Sequence, residues 1–261
     1  MRSRSNLFAL IPIALFLVSW EILARVEAIP PALFPPPSRV VKTLIDLYQK
    51  GLPFYSTLLN HVSTTLQRLF LGTIFGVLLG VVVGVLMGLF RHVNSFLTPL
   101  IMVLMPIPGI ALAPLFIIWF GFGNLTIILL GIMSAFFPVV FSTIAGIQSI
   151  DKQLIRAADI MGASFLRKVL TVYLPWAAGY VFNGVKLGLA RCWMTVIAVE
   201  FIAATNWGLG YMIWNASEML RADIVFGGIL IMIIIFFILD NMIIKNLEKH
   251  TIGKWGVIRH E

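Results

Sequence analysis

Three ionisable residues, Lys186, Arg191 and Glu200, stand within one almost wholly apolar stretch of this sequence. Charged side chains in such a run are expensive to bury, and they point to a cavity, a partner or an ion path. At about 100° per residue of a helix, Glu200 falls within about 40° of Lys186, while Arg191 points to the opposite side. Lys186 lies near one end of the run, where its long stem can carry the ammonium to water. Arg191 lies deeper, and either attracts an anion or pairs with a neighbouring helix. Glu200 has two readings, a structural carboxylate beside a gate or a ligand. Covalent chemistry has no comparable set: there is no Ser/His/Asp constellation, no HExxH and no Cys/His group. The single cysteine, Cys192, allows neither an internal disulfide nor a zinc cluster. Catalytic residues, cofactor and metal are therefore all expected to be none. A P-loop is lacking too, because Gly253-Lys254 has neither the upstream glycine nor the following hydroxyl.

The elements that position these charges are membrane helices. Of the 261 residues 60% are hydrophobic and 11% charged, and the mean hydropathy is +0.99. Soluble domains carry roughly 25% charged residues. Spanning helices need about 20 predominantly apolar residues, and six stretches supply them: about 7–24, 69–90, 96–120, 125–147, 176–200 and 224–244. The first is read as an uncleaved helix rather than a signal peptide, since Arg25-Val26-Glu27 follows it. Residues 1–261 are read as one all-α transmembrane domain. The net charge of +8 suits cytoplasmic loops facing anionic lipid, not nucleic acid.

Between the first two spans, Pro30, Pro31, Pro35, Pro36 and Pro37 exclude helix interior. Ser38 reads as an N-cap, followed by an apolar stripe of Val41, Leu44, Ile45 and Tyr48 and a stop at Gly51, which makes a short amphipathic helix at the membrane face. In the second span Gly72, Gly76, Gly80, Gly84 and Gly88 recur every fourth residue. They line one face and allow close backbone approach, inside the subunit or between two subunits. The third span is interrupted by Pro106, Pro108-Gly109 and Pro114. Broken helices at membrane depth mark either a kink required by packing or a substrate path. On the second reading the path is lined by Met105, Pro106, Pro108, Arg191, Thr195 and Glu200. Gly121-Phe122-Gly123-Asn124 is a tight turn.

Positive charge sets the orientation. With a cytoplasmic N-terminus, the inside segments hold Arg2, Arg4, Arg91, Lys152, Arg156, Arg167, Lys168, Lys245, Lys249, Lys254 and Arg259, and outnumber Arg25, Arg39, Lys42, Lys50 and Arg221 outside. Both termini are then cytoplasmic, and so is the loop 151–175. In that loop Leu154, Ala158, Met161, Phe165, Val169 and Val172 form a helical stripe, which Gly162 breaks into two short helices. Pro175 is placed to start the fifth span.

This loop resembles the EAA loop of ABC-importer permeases: Glu-Ala-Ala, three residues, Gly, nine residues, then Ile-x-Leu-Pro. Ala157, Ala158, Gly162, Leu174 and Pro175 fit, Val172 replaces Ile, and Arg156 replaces the Glu. Leu33-Phe-Pro-Pro-Pro-Ser38, Ala113 to Gly123, Phe136-Phe-Pro138, Val199-Glu200 and Gly208-Leu-Gly210 extend the resemblance to the nitrate/sulfonate/taurine/bicarbonate branch. It covers nearly the whole chain. The resemblance implies a type I importer fold in the bacterial inner membrane, without its own ATPase. Its partners would be a second copy of itself, an ATP-binding subunit dimer that binds the ATP, an extracytoplasmic substrate-binding protein and lipid. Arg156, Ala157, Ala158, Gly162, Ala163, Leu174 and Pro175 would couple it to the ATPase. The cargo implied is a small anion such as a sulfonate, taurine, nitrate or bicarbonate. Two alternatives stand: a neutral pyrimidine precursor of thiamine on the same architecture, or an ATP-independent channel or secondary carrier.

Overall fold

The computed structural model describes residues 2–26, 29–30, 32–50 and 57–241. Among them every regular element is helical: α1 (Arg2–Arg25), α2 (Pro37–Lys50), α3 (Leu58–Leu89), α4 (Arg91–Leu104), α5 (Gly109–Phe120), α6 (Asn124–Gln148), α7 (Lys152–Ile160), α8 (Phe165–Lys168), a π turn (Val169–Tyr173), α9 (Leu174–Ala203), α10 (Leu209–Glu218) and α11 (Ala222–Leu239). Three of these are long and apolar enough to cross a membrane, α3, α6 and α11. The bent pair α4 and α5 makes a fourth when counted as one span. The stretches expected as the first and fifth spans lie in α1 and α9. The end of the expected sixth span, 242–244, lies outside the described residues, as do Gly51 and the tail lysines Lys245, Lys249 and Lys254 with Arg259.

Two compact units divide the chain, Met1–Thr64 with Asn206–Ile234, and Thr65–Thr205 with Ile235–Glu261. In the first, α2 is helical as expected but starts at Pro37, so Ser38 lies inside it. The helix start is capped from α1 instead. Glu21 accepts from the Ser38 backbone N–H at 3.1 Å and from its hydroxyl at 2.8 Å. The buried face of α2 is Val40, Thr43 and Leu47, while Val41, Ile45 and Tyr48 are exposed. The inward face is thus one position from the apolar stripe and includes Thr43, whose hydroxyl donates to buried Asp223 at 2.8 Å.

The second unit is built on two glycine seams. A Cβ on Gly76 would meet Ala135 Cβ and the Ile132 carbonyl at 2.7 Å; one on Gly80 would meet Val139 at 2.7 Å, and one on Gly84 would meet Thr143 at 2.6 Å. Gly72 and Gly88 face Gly131 and Ile147 in the same way. The ladder therefore joins α3 to α6 within the chain. α9 also packs on α6, through Gly184 and Gly188, which approach Val139, Ser142 and Ala135. At the end of α3, Met87, Ile101, Phe137, Val140 and Ile144 form a buried apolar cluster.

Between α4 and α5 the chain turns by 97° at residues 105–108. Pro106 and Pro108 have no N–H to continue a helix, and Pro108 takes an extended backbone as the N-cap of α5. The expected third span is therefore two helices at about a right angle rather than one kinked rod. After α5 the turn Gly121 to Asn124 uses φ +79° at Gly121 and φ +119° at Gly123, which glycine alone adopts without strain.

Candidate functional site: a cavity at the broken helix

The break opens a cavity of about 360 Å³ within the second unit. Met105, Pro106, Ile107, Pro108, Gly109 and Ile110 form one wall, and Met133, Ser134 and Phe137 of α6 form another. Arg191, Met194, Thr195 and Ala198 of α9 complete it. The last four are spaced i, i+3, i+4 and i+7, which is one face of a helix. Gly109 lets the start of α5 come close, since a Cβ there would lie 2.5 Å from Thr195 Cγ2 and 3.2 Å from Ser134 Oγ. The hydroxyls of Ser134 and Thr195 are bonded to each other at 2.7 Å.

Five of the six expected path residues, Met105, Pro106, Pro108, Arg191 and Thr195, thus line one cavity. Arg191 is exposed, and no lining residue is acidic. Glu200 does not line the cavity. It is completely buried, and Arg68 Nη1 donates to its Oε1 at 2.6 Å. The Thr65 hydroxyl reaches both carboxylate oxygens at 2.9 and 3.0 Å. Arg68 also donates to Asn124 Oδ1 from Nε at 2.9 Å and from Nη2 at 2.7 Å. Of its two sequence readings, these contacts suit the structural carboxylate, and Glu200 is not among the residues that line the cavity. Reasoning from sequence gave Arg68 no role. The available signal was an arginine with polar Thr65 one turn before it, at the mouth of a long apolar run. Lys186 is exposed.

The loop 151–175 is more asymmetric than two short helices. Asp151 caps α7 by accepting from the Gln153 N–H at 2.8 Å. Gly162 takes φ +70° and ends the first helix. Beyond it, however, α8, the π turn and α9 follow one another directly, so the second helix is continuous with the next long helix. Pro175 stands in the first turn of α9, as expected, two residues past the π turn. It has no N–H for the carbonyl one turn back. The Leu174 N–H bonds to Val169 O, five residues back, and the turn is widened to fit.

Of the expected coupling residues, Arg156, Ala157 and Gly162 are exposed, Ala163, Leu174 and Pro175 half-buried, and Ala158 buried. The helical stripe is not a buried face, because Leu154, Met161 and Phe165 are exposed along with Ile160 and Leu166. Across the Gly162 turn Lys168 Nζ bonds to Asp159 Oδ1 at 2.6 Å. That hydrogen bond raises the ammonium's pKa above the ordinary lysine value. Among the described residues no group of histidine, cysteine, aspartate and glutamate could hold a metal.

Residues 76–250 match the family described as the inner membrane component of binding-protein-dependent transport systems. The taurine transport system permease protein TauC of Escherichia coli is 37% identical over 238 residues, 91% of this chain and 86% of that protein. A putative ABC transporter permease of Methanocaldococcus jannaschii is 33% identical over 241 residues, 92% and 90% of the two chains. The putative aliphatic sulfonates transport permease SsuC of Bacillus subtilis is 30% identical over 242 residues, 93% and 85%. Helices apolar enough to cross a membrane and this extent of likeness lead to one conclusion: the chain belongs to the binding-protein-dependent transport system inner-membrane components, as an ABC-importer permease of the nitrate/sulfonate/taurine branch.

Proposed function

We propose that the chain is the membrane-spanning subunit of an ATP-driven importer for a small organic sulfonate or taurine. It works as a pair of copies, each with six spans and both termini in the cytoplasm. A separate ATP-binding subunit dimer drives it, and an extracytoplasmic binding protein delivers the cargo. The cavity at the broken helix carries this reading, because five residues from two distant stretches of sequence converge on it. The relatives named for taurine and for aliphatic sulfonates favour that cargo class over nitrate or bicarbonate. The exposed apolar residues flanking Gly162, namely Ile160, Met161, Phe165 and Leu166, suit a short helix that docks into a groove of the ATPase. Alternating access then requires that ATP binding favour one of two arrangements, with the loop at Ala158 and Gly162 passing on the change.

The test is uptake of labelled ethanesulfonate and taurine by vesicles holding this chain with its ATP-binding subunit and binding protein. Accumulation should require ATP. The Gly162→Trp variant should remain folded, lose the co-purifying ATPase and accumulate nothing. Uptake that persists without ATP or the ATPase would replace the importer with a channel or secondary carrier. Normal uptake by Gly162→Trp would remove the coupling role from the loop.

A further inference from the structure

The cavity lining combines a few polar side chains with apolar ones. Arg191 supplies the only charge among its lining residues, and no ion pair to Arg191 occurs among the described residues. A guanidinium on the wall of an otherwise uncharged cavity attracts an oxyanion, and its planar fork matches two oxygens of one head group. The Ser134 and Thr195 hydroxyls stand on the adjoining walls, and since one donates to the other, the pair keeps one O–H to offer. The start of α5 adds to the same sign. Pro108 caps it with no side-chain bond, so the first N–H groups and the positive end of a 12-residue helix face the region of the break. The larger apolar side chains of the lining are Met105, Met133, Met194, Phe137, Ile107 and Ile110. Thioethers and branched or aromatic carbon offer an adaptable apolar wall and no polar partner.

We propose that Arg191, with Ser134 and Thr195, forms a head-group subsite for a sulfonate inside the permease, and that the methionine-rich wall takes its short alkyl tail. This rests on the cavity being the path. It places part of the discrimination in the membrane subunit: an inorganic oxyanion would satisfy Arg191 and leave the apolar wall without contact. The shared chemistry, an anionic oxygen head, is also that of a lipid phosphate, and the test separates the two.

The reporter is Met194→Cys in a Cys192→Ala background, in the assembled transporter in phosphatidylcholine nanodiscs. Two methanethiosulfonates of similar size are compared, one carrying 2-sulfonatoethyl and one carrying 2-(trimethylammonio)ethyl. Each transfers its thioalkyl group to the thiolate and releases methanesulfinate. The sulfonate reagent should react about tenfold faster than the cation, as expected of a site that focuses positive potential. Adding Arg191→Gln should abolish most of that preference, and Arg191→Lys should keep most of it. Thr195→Cys serves as a second reporter if Met194→Cys fails to assemble. A preference indifferent to Arg191→Gln would overturn the proposal, as would labelling by neither reagent at both positions. Loss of the preference when phosphatidylglycerol is added would assign Arg191 to lipid head groups and overturn it too. The readout does not depend on transport. A complex that imports no sulfonate yet keeps the Arg191-dependent preference would therefore lose the import reading and retain the anion site.

Discussion

Exchanging Glu200 for glutamine keeps its volume but leaves Arg68 buried without its carboxylate. The partners' side chains are 4% and 0% exposed, so solvent screens little. Breaking such a pair is expected to destabilise the protein by about 3–5 kcal/mol. Denaturant unfolding of the detergent-solubilised protein measures it. The double replacement Arg68→Met with Glu200→Leu should recover much of the loss, because apolar residues of similar size need no compensation. A Glu200→Gln variant as stable as the parent would remove the structural role. The charge at Glu200 was legible in the sequence, but its role was not. Its partner lies 132 residues away in sequence, and helical angles within one run say nothing about what faces the run from another helix. Arg191 lies on the cavity wall, where its role is the proposal made above.

At the level of elements, the ladder on α3 was readable because a period of four is a local property. Its partner was left open, and the structure supplies it in α6. Gly76→Ala should destabilise by about 1–3 kcal/mol through overpacking, since the obstructing atoms include a backbone carbonyl that cannot move aside. Gly179→Ala is the control: its Cβ would meet nothing within 4 Å, and alanine favours helix by up to about 1 kcal/mol. Melting temperatures should fall for the first and hold or rise for the second. Equal effects would mean that the seam is not close-packed. The inward face of α2 was not legible, because it includes Thr43, whose buried hydroxyl is invisible to an apolar pattern. The break at Pro106 and Pro108 was legible as a break. Its angle of 97° was not, because proline forbids a continuing helix without dictating the new direction.

At the scale of the whole molecule, sidedness follows from the distribution of lysine and arginine, a sum over loops that requires no contact to be known. With Cys192 replaced by alanine, Ser164→Cys in the loop should react with a membrane-impermeant maleimide only from the cytoplasmic face. Ser217→Cys near the end of α10 should react only from the opposite face. The reverse pattern would invert the topology. The loop's length carries a further consequence. The turn Val169–Tyr173 holds one residue more than an α-helical turn would, and each residue of an α-helix advances it by about 100°. Because the wider turn absorbs that residue, deleting one residue there closes the bulge into an ordinary α turn and leaves Phe165 and Leu166 near their present side of the axis. Over the lifetime of such a gene this segment can lose a single codon and keep the loop's orientation, where the same loss from an uninterrupted α-helix would turn the loop by about 100°.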